Sequence, residues 1–308
     1  MRIGTIAQHA NVGPTGFRSI VDELPGRLND YDLTLWFDFT DNSTISVSGT
    51  PTPVEVDASS FSITDKGPNA VSANAQTFGP DTKGPVYRYN NDLDNSSDSQ
   101  NFHNYGQGGV DAKDVLGFSN PTSLSTRAFT WVIIFDPTPP GDESDIGTVD
   151  QTLIHFVGSS TAPNVRNVRF DTVHNSDGDR FEFYIQKNDG SEFTLSNSKM
   201  KLSATLAGTV NSDFNYAVIT GDSDANINFY LKGQLVNSDS LGVSQTIPSG
   251  GACKLFSRND GLSNLTNQVQ SKMYEFMVFN TADPSLLNAI DLYVKNKYDF
   301  KFGRINGF

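Results

Sequence analysis

Two stretches in the last third of the chain constrain the fold most strongly. The first, NINFYLKGQLV, runs from Asn226 to Val236. Its apolar residues Ile227, Phe229 and Leu231 alternate with polar ones before a Lys-Gly-Gln turn. Strand side chains alternate between two faces and a glycine-containing turn reverses the chain, so this stretch predicts a hairpin with one buried face. The second, KMYEFMVFN at Lys272 to Asn280, is densely apolar and predicts a strand covered on both faces.

The composition agrees with one large all-β domain. The chain has 308 residues, a length within the range of a single large β-sandwich. Its 22 Phe and 10 Tyr are residue types that favour strands over helices. The 26 Gly and 14 Pro, with many Asn, Asp and Ser, divide the chain into the short segments that turn-connected strands require.

Further strands and one helix are predicted from local patterns. FTWVIIF at Phe129 to Phe135 predicts a central strand, and the polar stretch from Asn90 to Gly109 predicts a long exposed loop. Asp283-Pro284 is a helix-start signal, and the apolar spacing that follows predicts a short amphipathic helix over Ser285 to Tyr298. Shorter runs predict strands at Val86 to Tyr89, Leu153 to Val157, Val168 to Asp171, Phe181 to Gln186, Phe193 to Leu195 and Tyr216 to Thr220.

Charge and hydropathy exclude two classes of partner. With 22 basic and 35 acidic residues the net charge is −13, whereas a nucleic-acid surface needs clustered Lys and Arg. No run approaches the roughly 18 apolar residues of a membrane span, and the N-terminal stretch lacks the apolar core of a secretory signal. We therefore expect no nucleic-acid or membrane partner, and synthesis in a cytoplasm or processing before residue 1. Cys253 is the only cysteine, so no intrachain disulfide can form, and we interpret it as a small buried hydrophobe.

Residues 1 to 30 differ from the rest of the chain. They are rich in Gly and Pro and can bury little apolar area alone. We interpret them either as an arm that orders against a partner or as a terminal strand and loop tucked onto the main domain. The main domain then spans residues 31 to 308. In the first case the partner-anchoring side chains would be Ile3, Ile6, Phe17 and Ile20.

The order of motifs resembles the laminin-G-like branch of the concanavalin A-like superfamily. DLTLWFDFTDNSTI from Asp32 resembles the LWLDASDxSTI opening of such modules in phage and marine bacterial proteins. FSITDKGPN from Phe61 resembles their WxDKSGNG turn, with Pro68 as a departure. The hairpin, the last strand and the KY at the helix end resemble the closing motifs LYxNGxLV, E-φ-φ-φ-YN and KY. The likeness covers about residues 32 to 300, in patches.

The resemblance implies an all-β fold, a concanavalin A-like β-sandwich or jelly roll. Such a domain consists of two packed antiparallel sheets. The resemblance also implies the short C-terminal helix, and the composition of residues 1 to 30 adds the N-terminal arm to this expected architecture. Phage-type relatives with this opening and ending sit on virion surfaces as head decoration, fibre or tail-associated proteins.

The catalytic residues of the related glucanases do not carry over. Those enzymes place three carboxylates on one strand face in an ExDxE motif. The nearest candidate here is FEFYIQ, where the face that bears Glu182 continues with Tyr184 and Gln186, so the carboxylate pair is lost. Glu275 stands alone, and we interpret it as a hydrogen-bonded structural carboxylate. The four histidines lack metal-ligand spacing and no GxSxG elbow precedes a helix, so we expect a protein that is not an enzyme.

Calcium is the one cofactor that the residues suggest. Asp-rich loops offer the oxygen ligands that Ca²⁺ prefers, although neither loop completes an EF-hand. The same residues suit ordinary hairpin turns, because Asn, Asp and Gly tolerate left-handed backbone. We prefer turns, with no cofactor required. The calcium candidates are Asp177, Asp179, Asp222 and Asp224.

A glycan site would combine an aromatic platform with Asn and Asp hydrogen bonds at the loop ends. The exposed candidates are Phe102, His103 and Tyr105 in the polar loop. Trp36 and Trp131 lie inside apolar strands, and we predict that both belong to the core.

Two functional hypotheses follow. The first is a non-enzymatic virion structural protein, attached through residues 1 to 30 and presenting a lectin-like sandwich on the particle surface. Its partners would be capsid or tail proteins and further copies of the chain, as a homo-oligomer. The alternative is a carbohydrate-binding module that recognises host or environmental polysaccharide, so that surface glycans are the partner.

Overall fold

The chain folds mainly into β-strands joined by turns, with one short helix near its C-terminal end, so the predicted all-β class is confirmed. No helix in the described part of the chain is long and apolar enough to cross a membrane. The computed structural model describes residues 27–47, 58–59, 61–76, 85–88, 105–107, 115–136, 149–158, 161, 163–174, 180–196, 215–256 and 271–299.

The strands are numbered in chain order, and the helix that follows the last strand is called the C-terminal helix. A 3-10 turn spans Asn42–Thr44, the C-terminal helix spans Pro284–Val294, and a π-helical turn follows at Lys295–Asp299. The strands are β1 (Leu33–Asp38), β2 (Ile45–Val47), β3 (Ala58–Ser59), β4 (Phe61–Thr64), β5 (Ser72–Gln76), β6 (Val86–Arg88), β7 (Tyr105–Gln107), β8 (Val115–Ser119), β9 (Leu124–Ser125), β10 (Phe129–Asp136), β11 (Val149–Val157), β12 (Asn167–His174), β13 (Arg180–Gln186), β14 (Glu192–Ser196), β15 (Asn215–Gly221), β16 (Asn226–Leu231), β17 (Gln234–Ser240), β18 (Thr246–Ile247), β19 (Ala252–Leu255) and β20 (Lys272–Phe279).

Two large antiparallel sheets form a β-sandwich, as predicted. Sheet A has the strand order β17-β16-β15-β10-β20-β7-β6-β3, and β1 also pairs with β20. Sheet B has the order β14-β13-β12-β11-β19-β8-β5-β4-β2. Strands β9 and β18 form a small third sheet. The inner faces of sheets A and B bury one continuous apolar core between them.

Trp131 lies in the centre of that core and is fully buried. Its ring centroid is 4.7 Å from that of Phe156 on sheet B and 5.6 Å from that of Phe276 on sheet A. Aromatic side chains of this size bury about 150–250 Å² each, so such contacts contribute much of the driving force for packing the sheets. Trp36 is also buried, in a second apolar cluster on the outer side of sheet A, so the prediction that both tryptophans are buried core residues is confirmed.

The C-terminal helix covers part of the outer face of sheet A. It begins at its N-cap Asp283, whose Oδ1 accepts a hydrogen bond of 2.8 Å from the backbone N–H of Ser285. Its buried side chains, among them Leu286 and Ile290, form a second apolar cluster with the sheet. The helix predicted over Ser285 to Tyr298 is therefore confirmed, but its regular part is shorter and its last turn is π-helical.

Strand β20 is covered on both faces, as its dense apolar sequence predicted. Phe276 and Val278 belong to the core between the sheets. Tyr274, Met277 and Phe279 belong to the cluster beneath the C-terminal helix. The strand therefore connects the two apolar clusters of the molecule.

The predicted hairpin consists of β16 and β17. Ile227 and Phe229 are fully buried in the core, and Leu231 packs against it while remaining partly exposed. Lys232 and Gly233 form a two-residue turn, with φ of +50° and +76°. Positive φ at both positions matches the right-handed twist of the flanking strands.

Other predictions either differ from the structure or concern residues that the structure does not describe. The loop predicted from Asn90 to Gly109 is wrong at Tyr105–Gln107, which pairs with β6 and β20. Three residues of Tyr-Gly-Gln are too short and too polar to show strand alternation. Residues 1–26 of the predicted arm, with Ile3, Ile6, Phe17 and Ile20, lie outside the described residues. Leu28, within the predicted arm, is buried in the cluster beneath the C-terminal helix.

Candidate functional site

The outer surface of sheet A is open where the hairpin lies. The C-terminal helix packs over neighbouring strands, where it buries Val132, Val218 and Met277. Beyond these strands, the outward side chains of β16 and β17 are partly or fully exposed. We call this surface the hairpin face and define it by Asn226, Asn228, Tyr230, Leu235 and Ser238, together with Thr220 of β15, which is only 6% exposed and marks its covered edge.

Strand register brings the side chains of the hairpin face together. Asn228 pairs with Thr220 on β15 and with Ser238 on β17. Tyr230, two residues further along the same face, pairs with Leu235. Directly paired residues of antiparallel strands project to the same side about 4.5–5.5 Å apart. One row therefore presents a hydroxyl, an amide and a hydroxyl, and the next row presents an aromatic ring beside an exposed leucine.

The turn between β15 and β16 fixes one end of the hairpin face. Asp222 Oδ1 accepts hydrogen bonds from the backbone N–H groups of Asp224 (2.9 Å) and Asn226 (3.0 Å). Asp222 Oδ2 accepts a bond of 3.1 Å from the side-chain amide of Asn226. Ala225 is held at a φ of +61° and is buried. Both oxygens of Asp222 thus hold the turn and orient the amide of Asn226.

The turn between β16 and β17 fixes the other end against the C-terminal helix. The Lys232 backbone N–H donates to the Tyr216 carbonyl at 2.9 Å. The Tyr216 hydroxyl donates to Asp291 Oδ1 on the helix. A Cβ at Gly233 would lie 2.9 Å from the Tyr216 hydroxyl oxygen, so only glycine fits at this point. The hairpin is therefore anchored at both turns.

The hairpin face places neutral amide and hydroxyl groups beside an apolar surface. Asn228 Oδ1 accepts from the Ser238 hydroxyl at 2.7 Å, and the Asn228 amide reaches Thr220 Oγ1 at 3.5 Å. Tyr230 is half-buried and Leu235 is 56% exposed. Amide and hydroxyl groups both donate and accept. The face can therefore bind a ligand that has many hydroxyls on one side and C–H groups on the other.

Asp222 also acts on the tyrosine of the hairpin face. Burial raises the pKa of the Tyr230 hydroxyl, and the negative charge of Asp222 raises it further. The tyrosine therefore stays protonated at neutral pH and lies within the electric field of Asp222. The pKa of Asp222 itself is lowered: its partial burial acts in the opposite direction, but the hydrogen bonds from Asn226 and Asp224 outweigh it.

The outer face of sheet B is polar as well, but its aromatic ring is covered. The Arg169 guanidinium stacks over the Tyr184 ring at 3.7 Å, and Tyr184 is only 6% exposed. Arg169 Nε donates to Asp171 Oδ2 at 2.6 Å, and the Thr152 hydroxyl donates to the other oxygen at 2.7 Å. Because Arg169 covers the Tyr184 ring, this face is less suited to a ligand than the hairpin face, where Tyr230 is half-buried.

A groove of about 380 Å³ lies between residues 27–31 and the C-terminal helix. Leu28, Ala289 and Leu292 give it an apolar wall, and Tyr31 adds an aromatic ring. The Tyr31 hydroxyl already accepts a bond of 3.2 Å from Ser285 Oγ. The groove is a second surface of suitable size, and its tyrosine provides a matched comparison for Tyr230.

The strongest polar cluster of the described residues surrounds Glu275 and is structural. Glu275 Oε2 accepts from Trp36 Nε1 at 2.7 Å and from the Tyr293 hydroxyl at 2.8 Å. Its Oε1 accepts from Lys297 Nζ at 2.7 Å and from the Tyr298 hydroxyl. The side chain is fully buried and all its bonds are to other core residues. The prediction that Glu275 is a hydrogen-bonded structural carboxylate is confirmed.

Asp38 completes this buried cluster. Lys297 Nζ lies 3.1 Å and Lys66 Nζ 3.0 Å from Asp38 Oδ2. Burial alone would raise the pKa of Asp38, but the charges of Lys297 and Lys66 outweigh it and lower the pKa well below its usual range. Burial, together with the charge of Asp38, raises the pKa of Glu275. The two carboxylates thus differ in acidity although both contact Lys297, because Asp38 has a second lysine and its charge acts on Glu275.

The residues singled out from the sequence fall into three groups, which are those outside the described residues, Tyr105 on β7, and the two aspartates of the β15–β16 turn. Phe102, His103, Asp177 and Asp179 lie outside the described residues, and their roles stay predictions. Tyr105 lies on β7, opposite Arg88 of β6.

Asp222 and Asp224 flank the β15–β16 turn, in the arrangement that an ordinary hairpin turn requires. Among the described residues there is no group of three or more His, Cys, Asp or Glu that could hold a metal ion.

Sequence reasoning did not identify the hairpin face as a site. Asn228, Tyr230 and Ser238 were visible only as the polar half of an alternating strand pattern. An uncovered strand face has the same pattern whether or not it binds a ligand. The available signal was an aromatic residue at an outward position, since outward positions are usually polar.

Comparison with known proteins identifies the fold. No family model matches the chain, and no curated protein sequence matches it. The solved binding domain of Paraclostridial Mosquitocidal Protein 1 superposes with a TM-score of 0.50 at 11% identity, over 86% of this chain and 52% of that one.

The botulinum neurotoxin serotype G binding domain superposes with a TM-score of 0.49 at 12% identity, over 77% of this chain and 50% of that one. The binding domain of botulinum neurotoxin DC, solved in complex with SialylT, superposes with a TM-score of 0.47 at 13% identity, over 88% and 53%. The chain therefore spans about half the length of these structures, and the likeness to the first supports the β-sandwich fold.

Proposed function

We propose that this chain is a non-enzymatic domain that binds glycans through the hairpin face. The observation that carries the proposal is the half-buried ring of Tyr230 on an open sheet surface, beside amide and hydroxyl groups from the adjacent strands β16 and β17. An aromatic ring can pack against the C–H face of a sugar. Asn228 and Ser238 then supply donors and acceptors for its hydroxyls.

Binding without catalysis is supported by the arrangement of the carboxylates. Glu275 and Asp38 are buried and bonded to lysine, tyrosine and tryptophan side chains. A glycosidase needs two carboxyl groups flanking a substrate, either about 5 Å or about 6.5–9.5 Å apart. On the hairpin face, Asp222 uses both oxygens to hold a turn. The structure that superposes best among those named above is likewise a binding domain.

The setting of the domain is the second part of the proposal. The resemblance of the opening and closing motifs to phage-type modules favours a virion surface protein attached through residues 1 to 30. In that setting the hairpin face would bind surface glycans of a host. Mass spectrometry of purified particles tests this part: the protein should be a stoichiometric component, and its absence from particles would contradict the virion setting while leaving glycan binding intact.

A glycan array with matched variants tests the binding proposal. The wild-type protein should bind at least one glycan class reproducibly and saturably. Tyr230→Ala should reduce that binding about ten-fold or more, because a lost aromatic contact of about 0.5–1.5 kcal/mol combines with lost buried area. Tyr230→Phe should retain most of it, because the ring remains.

Two control variants separate the hairpin face from other surfaces. Asn228→Ala on the hairpin face should weaken binding, whereas Asn74→Ala, an exposed asparagine on the outer face of sheet B, should not. Tyr31→Ala, in the groove beside the C-terminal helix, should also leave binding unchanged. Loss of binding in Tyr31→Ala with retention in Tyr230→Ala would move the site to the groove and overturn the proposal.

A further inference from the structure

The charges around the hairpin face are arranged asymmetrically. Asp222 contacts the face directly, since its Oδ2 lies 3.1 Å from the side-chain nitrogen of Asn226. Asp224 is exposed in the same turn. None of the six residues that define the face is basic. The open end of the face, by the β15–β16 turn, is therefore negative.

The two lysines near the other end of the hairpin face do not offset the negative charge of Asp222 and Asp224. Lys295 is held by Asp291, with Nζ 2.7 Å from Oδ2. Lys232 is exposed at the tip of the hairpin, where its backbone forms the turn. It is separated from Asp222 by the whole length of β16, about 20 Å at 3.3 Å per residue. Lys232 therefore cannot neutralise the carboxylates at the far end.

The field of Asp222 extends over the face itself. The charge of Asp222 contributes to raising the pKa of the Tyr230 hydroxyl, so a negative charge placed on the ring is disfavoured. A sugar that packs on Tyr230 and forms a hydrogen bond with Asn228 would lie within the electric field of Asp222. Any carboxylate or sulfate on that sugar would meet the same repulsion. The chain as a whole, with a net charge of −13, adds to it.

We infer that the hairpin face selects neutral glycans over anionic ones. This inference rests on the proposed function and specifies its ligand class. A carboxylate that came within about 6 Å of Asp222 in water-like surroundings would be repelled enough to weaken binding about three-fold. The selection is electrostatic and should disappear when salt shortens the Debye length to about 3 Å at about 1 M.

The test compares two oligosaccharides that differ only in a terminal carboxylate. With the wild-type protein at low salt, the neutral sugar should bind about three-fold more tightly than the acidic one. At high salt the two affinities should converge. Ser238→Lys, which places a cation on the hairpin face, should reverse the preference. Thr194→Lys, which adds the same charge on the exposed outer face of sheet B, should leave the preference unchanged.

The outcomes separate this inference from the proposed function. Tyr230-dependent binding that favours the acidic sugar at low salt would overturn the inference and leave glycan binding standing. A neutral preference that is equally strong at high salt would also overturn it, because the cause would not be charge. Absence of Tyr230-dependent binding to either sugar would overturn both.

Discussion

Lys297 Nζ lies 2.7 Å from Glu275 Oε1. This contact joins the π-helical turn after the C-terminal helix to the central strand β20. The same ammonium group lies 3.1 Å from Asp38 Oδ2 on β1. One lysine thus contacts two buried carboxylates that come from opposite ends of the sequence, and Asp38 is also paired with Lys66. Lys297 therefore joins the turn after the C-terminal helix to both β1 and β20.

Removal of Lys297 should destabilise the protein strongly. Lys297→Met leaves Asp38 and Glu275 buried with one lysine fewer, and breaking a buried ion pair by removing one partner costs about 3–5 kcal/mol. Urea denaturation of wild-type and variant proteins measures the difference. The matched control is Lys295→Met, which removes an exposed pair with Asp291 and should cost less than about 0.5 kcal/mol. Equal effects of the two variants would contradict the structural role of Lys297.

Stability should fall in acid because of Asp38. Its folded-state pKa is lowered, so the stability it contributes is present above the ordinary value of 3.8 and is lost as pH falls below it. Glu275 acts in the opposite sense: its pKa is raised, so its protonation on acidification favours the folded state. The urea midpoint should therefore decline below about pH 4 in wild-type protein and more weakly in Asp38→Asn. Glu275→Gln should retain the decline of the urea midpoint in acid. If the midpoint of Asp38→Asn fell as steeply as that of wild-type protein, the acid sensitivity would not come from Asp38.

Two glycines with nearly equal φ should differ in their tolerance of a side chain. Gly233 has a φ of +76° and Gly242 a φ of +74°. Alanine at Gly242 meets nothing within 4 Å and should cost only the left-handed strain of about 1 kcal/mol. Alanine at Gly233 would also press on Tyr216 and Asp291, so it should cost about 2 kcal/mol or more. Similar losses in thermal unfolding would show that the hairpin tip is not packed against the C-terminal helix.

Cys253 should react only when the protein unfolds. Its side chain is 1% exposed, and burial raises the pKa of its thiol well above the ordinary value. A thiol reagent at neutral pH should label the native protein at least about a thousand-fold more slowly than the urea-unfolded protein, since global unfolding costs about 5 kcal/mol or more. Rapid labelling of native protein would mean that sheet B opens locally at β19.

The sequence predicted the elements whose pattern is local. The alternation of Ile227 and Phe229 and the Lys232-Gly233 turn were sufficient for the hairpin, because strand periodicity and turn geometry depend only on neighbouring residues. The apolar density of β20 correctly indicated burial on both faces. The start of the C-terminal helix at Asp283 was likewise readable from its capping residue.

The sequence did not predict contacts between distant segments. The partners of Glu275 include Trp36, which is 239 positions away, and only the pairing of β1 with β20 brings them together. Tyr105–Gln107 has no strand signal of its own and is ordered by its neighbours β6 and β20. The hairpin face depends on the register that places Thr220, Asn228 and Ser238 in one row. Register at this level follows from the packed sheet as a whole.

Chemical-shift mapping with a glycan identified on the array tests the central claim most directly. Titration of the sugar into isotopically labelled protein should shift the backbone and side-chain amide signals of Asn226, Asn228 and Ser238, and leave those of Asn74 and Thr194 in place. The same titration with Tyr230→Ala should produce shifts only at much higher sugar concentration. Shifts concentrated at the groove around Tyr31 or on the outer face of sheet B would contradict glycan binding by the hairpin face.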